Sequence, residues 1–150
     1  MPSHIGGDLY AIDHKGRISI PADLRKDSEG RPLTTLFINR GFDGCVNVFS
    51  PEAWEKQMRQ IRRIPPGDVN GRAFKRAFLM DAREVTVDAQ GRIPIPPALI
   101  RRADLGKEAR VHGDDDHIEI WNPQTYETKV GPVLDDFENL AAIYLKDPVE

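Results

Sequence analysis

Cysteine is almost absent from this sequence, since Cys45 is the only one among 150 residues. A single cysteine cannot form an internal disulfide, and no Cys/His spacing typical of a zinc site is present. No apolar run approaches the roughly 18 residues that a membrane helix needs. Residues 1–10 also lack the basic start and apolar stretch of a secretory signal. We therefore expect a cytoplasmic protein that makes no contact with a membrane.

Charge is distributed unevenly along the chain. Residues 1–76 hold 13 Lys and Arg against 9 Asp and Glu, a net +4, whereas residues 77–150 hold 8 against 15, a net −7. Binding to a polyanion depends on the local potential, so the overall charge of −3 does not exclude DNA binding by the first half. The alternative is a scatter of solvated charges without a functional face.

The most informative feature is an internal repeat. Residues 13–21 (DHKGRISIP) return 75 positions later as residues 88–96 (DAQGRIPIP), with the Asp, the Gly, the Arg, both Ile and the final Pro retained. Residues 46–54 (VNVFSPEAW) match residues 118–126 (IEIWNPQTY) in character at an offset of 72. The small difference in offset falls in a loop, where length varies. The sequence therefore predicts a duplicated unit.

Each copy has the pattern strand, tight turn, strand, short helix, hairpin and helix. In copy one, Asp13 and Gly16 indicate a turn between strands at residues 9–12 and 17–20, because Asp caps backbone amides and Gly tolerates positive φ. Residues 36–49 contain two β-branched and aromatic runs around a Gly-rich turn, which is typical of a hairpin.

Four helical stretches are predicted outside the turns and hairpins. Ser50 and Asn122 each precede a proline, which is typical of a helix start. Residues 71–80 have the spacing of a linker helix, and residues 133–145 that of an amphipathic helix. The predicted organisation is repeat 1, linker helix, repeat 2 and helical tail, at residues 1–70, 71–82, 83–130 and 131–150.

The paired Asp-x-x-Gly-Arg turns resemble those of the MraZ family, whose members carry two AbrB-type repeats. The resemblance covers nearly the whole chain, since it continues through the helix at Trp54, the linker that ends in Phe78 and Leu79, and residues 118–126. It implies an α+β, β-rich fold, in which the two repeats form a pseudo-twofold AbrB-like swapped-hairpin β-barrel with peripheral helices.

The resemblance also implies a function. MraZ-like proteins are transcriptional regulators that assemble into rings and bind direct repeats in the promoter of the cell-division and cell-wall gene cluster. We accordingly expect a nucleoid-associated regulator whose partners are double-stranded DNA and further copies of the chain. No enzyme activity, cofactor, metal or small-molecule substrate is expected.

The resemblance places the motif arginines, Arg17 and Arg92, on the surface that meets DNA. A planar guanidinium suits this role because it forms paired hydrogen bonds with phosphate or with the edge of guanine. The first turn adds His14 and Lys15, where copy two has Ala and Gln. We therefore expect stronger DNA contacts at copy one.

A structural interpretation of the same motif remains open. Asp13, Gly16, Asp88 and Gly91 are interpreted as turn-structuring residues, because a carboxylate that faced phosphate would be repelled. Each motif arginine could also pair with its aspartate and merely hold the turn. Six further basic residues are secondary candidates for the interface, with a solvated helix face as the alternative: Arg59, Arg62, Arg63, Arg72, Lys75 and Arg76.

Three other interpretations come from different classes of protein. Residues 112–117 (HGDDDH) contain possible metal ligands, but their position matches the Gly-rich turn of copy one, so we predict an acidic hairpin turn. Cys45 lacks evident His and Asn partners for nucleophilic catalysis and is expected to be a buried strand residue. An antitoxin-like interaction module is the main alternative function, because AbrB-type hairpins also occur in proteins that neutralise a toxin.

Overall fold

The computed structural model describes residues 4–146, in which the two copies have the same order of elements. Copy one contains β1 (Gly7–Ala11), β2 (Arg17–Ser19), a 3₁₀ turn (Ala22–Leu24), β3 (Thr35–Arg40), β4 (Val46–Phe49) and α1 (Pro51–Arg62), and is followed by α2 (Val69–Met80). Copy two contains β5 (Arg83–Thr86), β6 (Arg92–Pro94), α3 (Pro97–Arg102), β7 (Glu108–Gly113), β8 (Ile118–Trp121) and α4 (Pro123–Asp135), and is followed by α5 (Phe137–Tyr144).

The two helix starts predicted from proline are confirmed. Ser50 caps α1, since its hydroxyl oxygen accepts a hydrogen bond from the Ala53 amide at 3.1 Å. Asn122 caps α4 in the same way, and its Oδ1 accepts from the amides of Gln124 at 2.8 Å and Thr125 at 3.1 Å. Such caps satisfy amides that have no partner within the helix.

Six strands form one antiparallel sheet in the order β1-β7-β8-β4-β3-β5. Exchanging each strand for its equivalent in the other copy reproduces the same order, so the sheet has a pseudo-twofold arrangement. The first strand of each copy pairs with the other copy: β1 pairs with β7, and β5 pairs with β3. At the centre β4 pairs with β8, and Asn47 lies opposite Glu119. The copies therefore share one sheet and do not form separate domains.

The remaining two strands, β2 and β6, form an antiparallel ribbon. Ile18 of β2 pairs with Ile93 of β6, so equivalent residues of the two copies meet on the pseudo-twofold axis. The predicted closed barrel is not observed within residues 4–146, because β1 and β5 remain the edges of an open sheet. The ribbon strands are only three residues long and pair with each other, and a single bridge, Ile12 to Ile18, links β2 back to the end of β1.

The hydrophobic core fills the space between the ribbon and one face of the sheet. Ile18 and Ile93 are fully buried at its centre. Side chains alternate along a strand, so every second residue of the sheet contributes to this core. Ile20, just after β2, is also fully buried, and the sheet and α3 supply the other large buried apolar side chains, which are Leu36, Ile38, Val46, Val48, Leu99, Val111, Ile118 and Ile120.

Helices cover the opposite face of the sheet. Trp54 of α1 lies between the ring of Phe37 on β3, at a centroid distance of 5.3 Å, and the ring of Phe78 on α2, at 5.7 Å. On the other half, Tyr126 of α4 meets Trp121 edge-on at 5.5 Å. Since α1, α2 and α4 occupy this face, the ribbon lies on the opposite side of the molecule from them.

The helical segment predicted over residues 133–145 is confirmed as the last turn of α4 followed by α5, with an interruption at Asp136. Helix α4 continues from Pro123 through Pro132 to Asp135, and a break at Asp136 precedes α5. The first part of this segment is not a separate helix, because it belongs to the helix that starts at the Asn122 cap. No helix within residues 4–146 is long and apolar enough to cross a bilayer.

Candidate nucleic-acid interface

Each Asp-x-x-Gly-Arg segment forms the same tight turn before a ribbon strand. In copy one, Oδ1 of Asp13 accepts hydrogen bonds from the amides of Lys15 and Arg17, both at 2.9 Å. In copy two, Oδ1 of Asp88 accepts from the amides of Gln90 and Arg92, again both at 2.9 Å. The aspartates therefore cap the backbone of the turns that present the arginines.

The glycines of these turns have left-handed backbone and join the two copies. Gly16 and Gly91 have φ values of 77° and 78°, which a residue with a Cβ adopts only at a cost. The carbonyl of Gly16 accepts a hydrogen bond from the Ile95 amide of copy two, and the carbonyl of Gly91 accepts from the Ile20 amide of copy one, both at 2.9 Å. Each turn is thus held by the end of the other copy's ribbon strand.

Both motif arginines are paired with their own aspartates. Nε of Arg17 lies 2.8 Å from Oδ2 of Asp13, and Nε of Arg92 lies 2.9 Å from Oδ2 of Asp88. Hydrogen bonds from the Arg17 backbone amide, and then from its side chain, lower the pKa of Asp13 to about 2. The backbone amide of Arg92 likewise lowers the pKa of Asp88. The carboxylates therefore stay ionised and fix the guanidinium groups near the turns.

The register of the ribbon puts both arginines on one face. Arg17 lies opposite Pro94, and Arg92 lies opposite Ser19. Because Ile18 and Ile93 point into the core, the neighbouring side chains point to solvent. The side chains of Arg17 and Arg92 keep 29% and 27% of their surface exposed. Copy one and copy two thus contribute one arginine each to a shared outer surface, which we call the ribbon face.

The two arginines differ in how much of the guanidinium remains available. In Arg92, Nη1 lies 3.6 Å from Oδ2 of Asp13, and Nη2 donates to the side-chain oxygen of Gln90. In Arg17 only Nε has a partner among the described residues, so Nη1 and Nη2 are free to bind a ligand. Lys15, which stands where copy two has Gln90, offers no acceptor. The local chemistry favours copy one as the stronger anion site.

The structure places two sequence-predicted residues beside Arg17 and adds one that sequence reasoning missed. His14 and Lys15 are exposed in the first turn. Arg25, just after the 3₁₀ turn, lies against the second turn: a Cβ added at Gly91 would be 2.7 Å from its Nη2. The repeat gave no signal for Arg25, because Ile100 occupies the position 75 residues later. Only the packing of the copies brings this third arginine to the second turn.

The six secondary basic candidates lie elsewhere. All are exposed, on α1, its C-terminal cap and α2, which cover the face of the sheet opposite the ribbon. Arg62 pairs with Glu55 at 2.5 Å, and Nη1 of Arg72 donates to the Pro66 carbonyl at 2.8 Å. The structure therefore does not bring these helices together with the motif arginines.

The hairpin between β7 and β8 carries a separate group of charged side chains. Residues 114–117 form the turn, as the sequence predicted. Nε2 of His117 lies 3.2 Å from Oε2 of Glu119, and Nδ1 lies 2.7 Å from Oδ1 of Asp116. The hydrogen bond to Glu119, supported by Asp116, raises the pKa of His117 to about 9. Cys45, just before β4, is buried as expected, and burial raises the pKa of its thiol.

Comparison with known proteins matches this arrangement to one family. The family model described as "MraZ protein", with the addition "antitoxin-like", matches residues 5–77 and again residues 78–136. The chain belongs to the MraZ family. The MraZ model thus recognises the two copies seen in the structure and covers nearly all of the chain.

Curated relatives agree with the MraZ assignment. A protein of Roseiflexus sp. (strain RS-1) is 39% identical over 124 residues, which are 82% of this chain and 83% of the relative. A protein of Thermomicrobium roseum is 35% identical over 81% of this chain and 83% of its own length. A protein of Pediococcus pentosaceus is 32% identical over 88% and 90%, respectively. All three are named "Transcriptional regulator MraZ", a name for regulation and not for catalysis.

Proposed function

We propose that this MraZ-family chain is a sequence-specific transcriptional regulator that binds double-stranded DNA as a ring-shaped oligomer. Its targets are direct repeats in the promoter of the cell-division and cell-wall gene cluster, and it works in the cytoplasm at the nucleoid. The names of its relatives support regulation of transcription. The observation that carries DNA binding is the guanidinium of Arg17, which is oriented by Asp13 and free at both terminal nitrogens.

The chemistry of the ribbon face suits a nucleic acid. The free Nη1 and Nη2 of Arg17 can form a paired contact with phosphate or with O6 and N7 of guanine. Because Asp13 already holds Nε, little side-chain entropy is lost when DNA binds. Lys15 and His14 add local positive charge from the same turn. Asp13 faces the arginine rather than the ligand, so its charge orients the site.

The ribbon face of a single chain is expected to bind DNA weakly, so useful affinity requires several chains to assemble. One exposed phosphate contact contributes little, whereas several linked faces on neighbouring repeats gain affinity through effective concentration. Direct repeats require subunits that are related by translation or rotation in one direction. A head-to-tail contact between unlike surfaces has this property, and it closes into a ring when the rotation permits.

Two helices supply unlike surfaces for such a contact. Phe74 on α2 is 52% exposed and lies among the exposed basic residues of that helix. On α5, Phe137 and Tyr144 are 59% and 77% exposed, and Asp136 and Glu138 lie beside them. Exposed apolar side chains of this size mark interaction surfaces. The opposite charges favour α2 of one copy against α5 of the next.

The decisive experiment is footprinting of the purified protein on the DNA upstream of its own gene, with Arg17→Ala measured in parallel. Loss of a good base-edge contact, about 1–3 kcal/mol, multiplied across subunits, should weaken binding by roughly ten-fold or more. Arg63→Ala is the matched control, because Arg63 is exposed at the end of α1, away from the ribbon. Unchanged affinity of Arg17→Ala with intact assembly would remove Arg17 from the interface.

Assembly is tested independently by light scattering. The proposal expects oligomers whose stability falls with salt, because the contact joins opposite charges. Strictly monomeric behaviour at both low and high salt would refute the ring.

The antitoxin-like module remains the second candidate, since the matching family description contains that term. The two candidates differ in their partner. A module of this kind should co-purify with a toxin protein and lose it when the described helices α4 and α5 are altered, whereas the regulator should protect its promoter without any second protein.

A further inference from the structure

The β7–β8 hairpin collects three of the four histidines of the chain. His112 is the penultimate residue of β7, and His117 is the last residue of the turn. His4 joins the same turn through its backbone: its amide donates to the Asp115 carbonyl at 2.6 Å, and its carbonyl accepts from the Asp115 amide at 2.7 Å. Imidazole is the commonest side-chain ligand of metal ions.

Nitrogen and oxygen donors converge at this hairpin. One ligand atom each of His112, Asp114 and Glu119 lie within 4.8 Å of one another. Nε2 of His112 is 3.2 Å from Oδ1 of Asp114. Nε2 of His117 lies 3.7 Å from Oδ2 of Asp114 and 3.2 Å from Oε2 of Glu119, so it borders the same space.

We propose that this hairpin cluster, formed by His112, Asp114, His117 and Glu119, binds one divalent transition-metal ion. Two imidazoles and two carboxylates are a donor set suited to Zn²⁺ and similar ions, and less suited to Mg²⁺ or Ca²⁺, which prefer oxygen alone.

Outer hydrogen bonds already orient the donors. Oδ1 of Asp116 lies 2.7 Å from Nδ1 of His117, which leaves Nε2 directed at the cluster. The indole nitrogen of Trp121 donates to Oε1 of Glu119 at 3.0 Å, which leaves Oε2 available. Ligating histidines and carboxylates in metal sites characteristically have such partners, because these fix the tautomer and the direction of the ligand.

A second observation points to a ligand at this turn. The His4 side chain is only 3% exposed, and its Nδ1 has no hydrogen-bond partner among the described residues. Buried polar atoms without a partner are rare and need an explanation. The backbone of His4 is hydrogen-bonded to Asp115, so this buried residue with an orphan imidazole nitrogen belongs to the same turn as the cluster.

Copy one shows that the fold does not require these side chains. Relative to the hairpin register, Asn39 takes the place of His112 and Asn47 takes the place of Glu119. The copy-one hairpin has the same antiparallel pairing with these neutral amides. The ionisable cluster of copy two is therefore an addition to the hairpin and not a condition for forming it.

Copy one also supplies the variants for the test. His112→Asn and Glu119→Asn introduce the residues that the equivalent hairpin already carries, so both should fold. The full-length, untagged protein is stripped with chelator, and Zn²⁺ binding is measured by equilibrium dialysis and by titration of tryptophan fluorescence, since Trp121 contacts Glu119. His14→Ala is the control, because it removes an exposed histidine outside the cluster.

The expected result is one Zn²⁺ per wild-type chain and per His14→Ala chain. Each ligand variant should weaken binding by about 100-fold or more, and Asp116→Asn, which changes only an outer partner, by about 10- to 100-fold. Wild-type protein that binds no Zn²⁺ at micromolar concentration overturns the proposal, and so does a folded His112→Asn protein with unchanged affinity. If one ligand variant fails to fold, judged by circular dichroism, the other and Asp116→Asn decide. DNA binding in chelator is a separate measurement, so neither outcome bears on the proposed function.

Discussion

Nη1 of Arg92 lies 3.6 Å from Oδ2 of Asp13, which joins the motif of copy two to the motif of copy one. No equivalent contact joins Arg17 to Asp88 among the described residues. A duplication that retained both motifs has therefore acquired different roles for them. Arg92 links the copies, and both of its terminal nitrogens have partners within the protein. The terminal nitrogens of Arg17 are free to bind a ligand.

Gln90→Lys should strengthen DNA binding. The Gln90 side chain accepts a hydrogen bond from Nη2 of Arg92, so its replacement by Lys frees that nitrogen and adds a charge next to the ribbon face. We expect tighter binding. The slope of log affinity against log salt concentration should be steeper by about one, because one more counterion is released from the DNA. The measurement is a mobility-shift titration at several salt concentrations. Lys15→Gln is the reciprocal variant and should weaken binding; identical behaviour of both variants would contradict the asymmetry of the two copies.

The Asp13 carboxylate should make the protein less stable to unfolding as the pH becomes acidic. Its carboxyl pKa is lowered from 3.8 to about 2 in the folded protein. Because the folded protein binds this proton more weakly than the unfolded chain, the ionised carboxylate stabilises the fold at pH values above about 4. This contribution is lost as the pH falls from about 4 through about 2. Urea unfolding at pH 2 to 5 should show a shallower pH dependence for Asp13→Asn. Asp23→Asn is the control, since that carboxylate is 94% exposed; a wild-type profile for Asp13→Asn would refute the expectation.

Ile18→Ala and Ile93→Ala should destabilise the protein to a similar extent. Both side chains are fully buried and face each other across the ribbon. Truncation of a buried Ile to Ala costs about 2–5 kcal/mol in the free energy of unfolding, because it leaves a cavity. Chemical denaturation measures this loss. Leu9→Ala, at a position 43% exposed on β1, should cost much less, and an equal loss there would show that the ribbon is not the centre of the core.

Gly91→Ala should cost more stability than Gly44→Ala, although both glycines have positive φ values, 78° and 88°. Positive φ alone strains any residue with a Cβ, by about 1–3 kcal/mol. At Gly91 the added methyl would also displace the Arg25 guanidinium, whose Nε donates to the Ile20 carbonyl at 2.5 Å. Nothing lies within 4 Å of a Cβ at Gly44. Thermal unfolding curves compare the variants, and equal shifts would mean that Arg25 moves at no cost.

Phe74→Asp should disrupt assembly without unfolding the chain. The substitution places a negative charge in the basic, apolar surface of α2, where it would oppose the acidic residues near α5. Light scattering should report smaller species, and circular dichroism should remain unchanged. Ile5→Asp is the matched control, because Ile5 is 80% exposed and lies outside both helices. Full-size oligomers of Phe74→Asp would exclude α2 from the contact.

Local sequence signals predicted most elements because each depends on a few neighbouring residues. Ser50 and Asn122 mark their helices because a side-chain oxygen caps nearby amides. Asp13 and Gly16 mark a turn because one caps the backbone and the other permits positive φ. The break at Asp136 was missed because apolar spacing continues across it, and spacing does not report where helical hydrogen bonds are interrupted.

The sequence by itself determined the duplication, the turns and the family, since these are written in the identity and order of residues. Only the tertiary structure decided which residues of the two copies meet. It placed Arg25 against the second turn, linked Arg92 to Asp13, gathered the hairpin cluster, and left the sheet open. The physical reason is that these outcomes arise from contacts between residues far apart in the chain, and such contacts depend on how strands pair and pack rather than on any local pattern.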